Sequence, residues 1–246
     1  MLVTIRQTKS SGQNLFQVEE QGQLLFQAQT PWADLRLPLE AEKMRRLTFS
    51  DAQGQPLYHT SYQLLDNALR SLTKYKFLLG TSAKVEEYQV LDETGQQQGS
   101  FYTQIDGVLT FQLTICYGEE QYDCYHRALG KIYVVSIFQE GRQIAQITKP
   151  LDTWDLLDIY YLHLLQGYRH LLPILSFFTI YIDAVSFTQP GRAAKYSMEK
   201  RRAYSFNKNN DKYDPHWIAQ TFGPEAQEEL DRLLREHPEK NPQNAA

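Results

Sequence analysis

The residue types that most often carry chemistry are scattered along this chain. Six histidines (His59, His126, His163, His170, His216 and His237) show no H-E-x-x-H or comparable ligand spacing, and each reads as a surface or boundary residue. His163 alternates with Leu162 and Leu164. A strand would place it on the face opposite both, as a hydrogen-bonded barrel residue rather than a catalyst. Cys116 and Cys124 lie on the two arms of a hairpin that turns near Glu120. A loop of Glu119 to Gln121 would set them directly across from one another, where a disulfide is geometrically open. A reducing compartment would instead keep both as thiols. Two thiols without C-x-x-C spacing make no zinc site. Asp152, Asp155 and Asp158 recur at every third position but lack the loop, central Gly and final Glu of an EF-hand. They read as a polar connection beside Trp154. No G-x-S-x-G, P-loop or G-x-G-x-x-G occurs, so no catalytic, cofactor-binding or metal-binding set is predicted.

One charged segment does stand out. Residues 192–208 carry Arg192, Lys195, Lys200, Arg201, Arg202 and Lys208 against Glu199 alone, with Tyr196, Tyr204 and Phe206 interleaved. Such a segment can lie on anionic lipid headgroups or on a protein partner. It can also remain a solvated linker, or dock on the acidic body that precedes it. The formal net charge of -4 counts against nucleic acid as the partner.

These residues belong to a chain of 246 residues with 42% hydrophobic and 22% charged side chains, the balance of a globular protein with a sizeable core. No run of about 18 apolar residues predicts a transmembrane span. The opening Met1-Leu2-Val3-Thr4-Ile5-Arg6 carries no secretion signal, and a cytoplasmic location, with a peripheral position at a membrane as the alternative, is expected.

The elements that must position these residues are mostly hairpins. Asp51-Ala52-Gln53-Gly54-Gln55 and Asp92-Glu93-Thr94-Gly95-Gln96 share the pattern Asp-x-x-Gly-Gln after an apolar residue. Asp can accept from the backbone two residues on, and Gly supplies a positive φ. Glu19-Glu20-Gln21-Gly22-Gln23 looks like a variant with Glu for Asp, and Phe138-Gln139-Glu140-Gly141-Arg142 like a second that has lost the Asp. Asp106-Gly107 adds another turn, and Gly118 begins the next. The flanks alternate: Phe16 and Val18 oppose Leu15 and Gln17, and Leu113, Ile115 and Tyr117 oppose Thr114 and Cys116. About a dozen strands between Leu2 and Ile147 are too many for one open sheet and predict a sandwich or closed barrel. Leu64 to Leu72 reads as a short helix.

The chain then changes character. From Leu171 to Ile182 no residue is charged, and Pro173 suits the first turn of a helix. A helix over about 171–187 spans roughly 25 Å at 1.5 Å per residue. Being apolar all round, it predicts burial on every side, with Ile174, Phe177, Phe178, Ile180 and Tyr181 in the core. Beyond Pro190, Asp214-Pro215 and Gly223-Pro224 open two short helices. The second carries the stripe Ala226, Leu230, Leu233 and Leu234, which needs a surface to cover it.

A meander of strands ending in an apolar helix resembles the tubby C-terminal fold, shared by tubby domains, phospholipid scramblases and LURP-one-related proteins. The residues that carry the likeness are the two Asp-x-x-Gly-Gln hairpins, the strand Asp158-Ile159-Tyr160-Tyr161-Leu162-His163, and Phe177-Phe178-Thr179-Ile180-Tyr181-Ile182-Asp183. The resemblance implies a mainly β fold, a closed antiparallel barrel of about twelve strands around a buried helix. It covers residues 1–189, leaving 190–246 as a basic linker and helical appendage. The phosphoinositide-binding Lys/Arg pair of tubby domains has no counterpart here, nor do the calcium-binding segment and the palmitoylated cysteine cluster of scramblases.

The expected function is a non-catalytic binding or regulatory module that meets an anionic phospholipid surface or a protein partner through the barrel surface and the basic tail. A small-molecule carrier with an interior cavity, and a hydrolase built around His163 or His126, are the alternatives.

Overall fold

The structure is a computed structural model and describes residues 1–9, 14–30, 47–61, 83–106, 110–151, 157–186 and 212–236. The predicted helix at Leu64–Leu72, Asp152 and Asp155, and the basic residues Arg192, Lys195, Lys200, Arg201, Arg202 and Lys208 lie outside them.

Twelve antiparallel strands follow the chain in order: β1 (Leu2–Lys9), β2 (Leu15–Glu20), β3 (Gln23–Gln29), β4 (Thr48–Asp51), β5 (Pro56–Ser61), β6 (Ala83–Leu91), β7 (Gln97–Asp106), β8 (Thr110–Tyr117), β9 (Glu120–Leu129), β10 (Ile132–Gln139), β11 (Arg142–Pro150) and β12 (Ile159–Leu164). Each pairs with its neighbours in sequence. β1 also pairs with β12, from Leu2 opposite His163 to Arg6 opposite Ile159, which closes the barrel. Closure leaves no edge strand to template aggregation.

Period-two patterning decides which side chains face in. On β1 and β2 these are Val3, Ile5, Phe16 and Val18, all essentially inaccessible. β7 and β8 supply Phe101 and Ile115, and β11 and β12 supply Ile147, Tyr160 and Leu162. Gly99 is the exception to side-chain filling. A Cβ there would run into the Cys116 carbonyl of β8, so only glycine permits the close approach of these backbones.

The two Asp-x-x-Gly-Gln turns form as their chemistry dictates. Asp51 Oδ1 accepts from the backbone N–H of Gln53 (3.0 Å) and Gln55 (2.8 Å). Asp92 Oδ1 accepts from the N–H of Thr94 and of Gln96, each at 2.9 Å. Gly54 and Gly95 take φ values of 82° and 85°. The other two turns are not variants of this motif. Gln21-Gly22 (φ 51° and 79°) and Glu140-Gly141 (φ 48° and 79°) are two-residue loops with both residues left-handed, the type I′ geometry whose twist matches the strands.

After β12, a 3₁₀ turn (Gln166–Leu171) leads into α1 (Leu172–Ser186), with Pro173 in its first turn. Arg169 of that turn forms a two-pronged ion pair with Glu20 of the β2–β3 hairpin (3.0 and 2.6 Å). Every residue of α1 from Ile174 to Asp183 is buried, and all its apolar residues there join one core cluster with the inward strand residues. Phe177 meets Phe49 of β4, Tyr58 of β5 and Phe101 of β7 at ring-centre distances of 5.3, 6.1 and 5.7 Å. Phe178 meets Phe101 at 5.3 Å, and Tyr181 meets Tyr88 of β6 at 5.0 Å. Thr179 hides its hydroxyl by donating to the Leu175 carbonyl (2.8 Å). No helix among the described residues is long and apolar enough to cross a membrane.

The C-terminal appendage docks on the outside of the barrel. α2 (Trp217–Phe222) starts where Asp214 Oδ1 accepts from the His216 N–H (2.8 Å), and α3 (Pro224–Arg235) starts at Pro224. The stripe Ala226, Leu230, Leu233 and Leu234, with Ile218 and Phe222, covers Leu2 of β1 and Ile159 and Tyr161 of β12.

Candidate functional site: a sealed polar cluster beside the C-terminal half of α1

Four polar side chains from three elements meet in the core. β11 is buried from Gln143 to Pro150, and alternation puts Ala145, Ile147 and Lys149 on its inner face. Lys149 is therefore driven inward by its position in the strand. It is completely inaccessible, and its Nζ donates to Asp158 Oδ1 (2.5 Å) and to the Pro150 carbonyl (3.3 Å). The ammonium also lies 5.4 Å from the centre of the Tyr160 ring.

Asp158, just before β12, is held by β1. Its backbone N–H donates to Gln7 Oε1 (2.9 Å), and its carbonyl accepts from the Gln7 N–H (2.7 Å). Tyr160, two residues on, shares the inner face and donates its hydroxyl to Asp183 Oδ1 (2.6 Å) on α1. Asp183 is wholly buried and hydrogen-bonded to Asp158.

The electrostatics of the cluster are self-consistent. Burial, and then the neighbouring Asp158 charge, hold the Asp183 carboxyl well above the ordinary carboxylate range. Two carboxyl groups in contact cannot both ionise in a dry site. Asp183 thus keeps its proton and donates it to the Asp158 carboxylate, which in turn answers the Lys149 ammonium. Burial, followed by the neighbouring Asp183 and Asp158 carboxyl groups, also raises the Tyr160 hydroxyl far above its usual value, so it stays protonated and donates to Asp183. One positive and one negative charge remain, and the cluster is neutral as a whole.

No protein-family model, curated protein or solved structure matches the chain. The site must therefore be read from its own geometry.

The structure brings together Asp158, Tyr160 and Asp183, residues of the segments 158–163 and 177–183 singled out in the sequence. Lys149 and Gln7 escaped the reading of the sequence. The signal for Lys149 was available: a lysine in phase with Ala145 and Ile147 on a strand must either be buried with a partner or disrupt the strand.

His163 departs from expectation. It is almost inaccessible on the outer face of β12, where its ring lies 5.6 Å from that of Phe222, and neither ring nitrogen has a hydrogen-bond partner among the described residues. Docking of α2 seals it against a hydrocarbon surface that offers no acceptor. Burial, aided by the Met1 amino charge, lowers its pKa from 6.5 to about 4. Because the folded value lies below the unfolded one, the unfolded chain binds the proton more readily. The contribution of His163 to stability is full above pH 6.5 and is lost as pH falls towards about 4. The whole effect is about 3 kcal/mol at 1.36 kcal/mol per pKa unit. His163→Leu is expected to flatten the decline of the urea midpoint across this window. An unchanged decline would mean that the ring is hydrated.

The cysteines also depart from expectation. The turn is Gly118-Glu119, so Cys116 pairs with Gln121, and Cys124 pairs with Leu113. The odd offset puts the two thiols on opposite faces, Cys124 in the core and Cys116 outside beneath the Tyr102 hydroxyl (3.9 Å), and both are free. His126 lies beside the Tyr133 ring (6.2 Å). The predicted core residues Ile174, Phe177, Phe178, Ile180 and Tyr181 are all buried.

Proposed function

We propose that the chain is a tubby-like, non-catalytic binding or regulatory module whose barrel is plugged by α1 and whose outer surface, with the basic stretch at 192–208, meets an anionic phospholipid surface. The observation that carries this reading is the burial of every residue from Ile174 to Asp183 against side chains of β4, β5, β6, β7 and β12. A carrier would need that space for its ligand. A hydrolase would need a histidine beside an acid and a nucleophile, whereas His163 faces Phe222. Chemistry directed at other molecules then falls to groups other than the barrel interior, and six basic side chains within 192–208 supply the strongest local charge in the sequence. A protein partner on the same surface is the second outcome the test allows.

Co-sedimentation with vesicles of phosphatidylserine and phosphatidylcholine tests the reading. Binding is expected at low salt, weakening as salt rises, and absent on phosphatidylcholine alone. Replacing Lys200, Arg201 and Arg202 by Gln should remove about 3 kcal/mol, roughly a hundredfold in affinity, at about 1 kcal/mol per basic residue. No sedimentation at low salt would remove the lipid branch.

A further inference from the structure

The Lys149–Asp158–Asp183 cluster has the parts of a condensation site. An amine and a carboxyl are in contact at 2.5 Å. A second carboxyl, Asp183, is bonded to the first. The Lys149 side chain is 0% exposed and that of Asp158 7%, so bulk water is excluded. Each group is held by a different framework element: Lys149 by β11, Asp158 by its double contact with Gln7 of β1, and Asp183 by α1. The function proposed above gives none of these groups a chemical role.

We propose that the folded chain joins Lys149 to Asp158 through an intramolecular amide bond, with Asp183 as the proton relay. In a dry site the separated charges of the pair are costly, and passing one proton from the Lys149 ammonium to the Asp158 carboxylate cancels both. The resulting Lys149 amine attacks Cγ of Asp158, and the Nζ–Cγ bond forms. Asp183 gives its proton to the departing Asp158 oxygen and takes one from Nζ, ending as it began. The Cγ–O bond breaks and one water leaves. Nothing is oxidised or reduced, and no co-reactant is required. Fixed proximity supplies the driving geometry, as it does in intramolecular reactions generally. The sealed surroundings then keep water from reversing the step. The product ties β11 directly to the residue that precedes β12.

Mass spectrometry of the intact, denatured full-length chain tests this directly. The expected mass is one water below that of the sequence. Protease digestion should then yield a branched peptide joining the Lys149 and Asp158 segments. Lys149→Arg, whose guanidinium cannot form the amide, should restore the full mass. Asp183→Asn keeps an acceptor for Tyr160 but has no proton to relay, and it should leave the chain largely at full mass while circular dichroism shows it folded. A parent chain at its full sequence mass, with Lys149 and Asp158 recovered in separate linear peptides, would overturn the proposal. So would a lost water that maps elsewhere.

Discussion

Phe178→Asp is expected to abolish folding. Phe178 is wholly inaccessible and packs on Phe101 of β7 and on Tyr181 of its own helix, at ring-centre distances of 5.3 and 6.1 Å. The substitution removes a large apolar side chain and puts a carboxyl among aromatic rings. Loss of the ring alone costs about 3–5 kcal/mol, the range for Phe→Ala in a core. The carboxyl adds several kcal/mol, whether it stays charged or takes up a proton to avoid it. The sum reaches the whole stability of an ordinary domain, about 5–15 kcal/mol. Near-ultraviolet circular dichroism should show no fixed aromatic environment, and thermal scans no cooperative transition. Phe178→Leu, which keeps an apolar side chain, should fold and melt lower. A soluble Phe178→Asp chain that melts cooperatively at the parent temperature would mean that the ring does not lie in the core.

Asp158→Ala is expected to be the next most damaging change. It deprives Lys149 of its partner, whether the two are held as an ion pair or as the amide, and leaves an ammonium in a site with no access to solvent, which costs about 3–5 kcal/mol. Asp183 is then the carboxyl left beside Lys149 in the cluster, and it must ionise at the cost of its own burial. Removing the stranded charge should therefore help: Lys149→Met in the Asp158→Ala background is expected to recover most of the loss. Urea midpoints of the parent, the single and the double variant measure this. A double variant no more stable than Asp158→Ala would show that the lysine reaches water in the single variant.

The fold was legible where local chemistry and global arrangement agree. Asp51 and Asp92 carry their turns within five residues, so no distant contact is needed to recognise them. The charge-free run ending at Ile182 could belong only to a buried helix or to a membrane, and the stripe on α3 needed a cover that β1 and β12 provide. Register was harder to read. Moving the β8–β9 turn to Gly118-Glu119 shifts the pairing by an odd number of residues, which is enough to send Cys116 and Cys124 to opposite faces. The site was harder still. Asp183 stands in the sequence as an interruption of an apolar helix, and Lys149 as one more charge before a proline. Only the closing of β12 on β1 and β11 sets them side by side, and no sequence period encodes that meeting. His163 was misjudged for a related reason, since its lack of partners follows from the docking of Phe222, more than fifty residues away.

The central claim is that α1 is the interior plug of the barrel and unfolds only with it. Native-state amide hydrogen exchange on the full chain tests this most directly, because it reports the free energy of the opening that exposes each N–H. The amides of Leu175 to Ile182 should exchange only through global unfolding, with the same free energy as those of Val135 and Ile147 in the strands. Exchange of the helix amides at a markedly lower free energy, while the strand amides stay protected, would contradict the account.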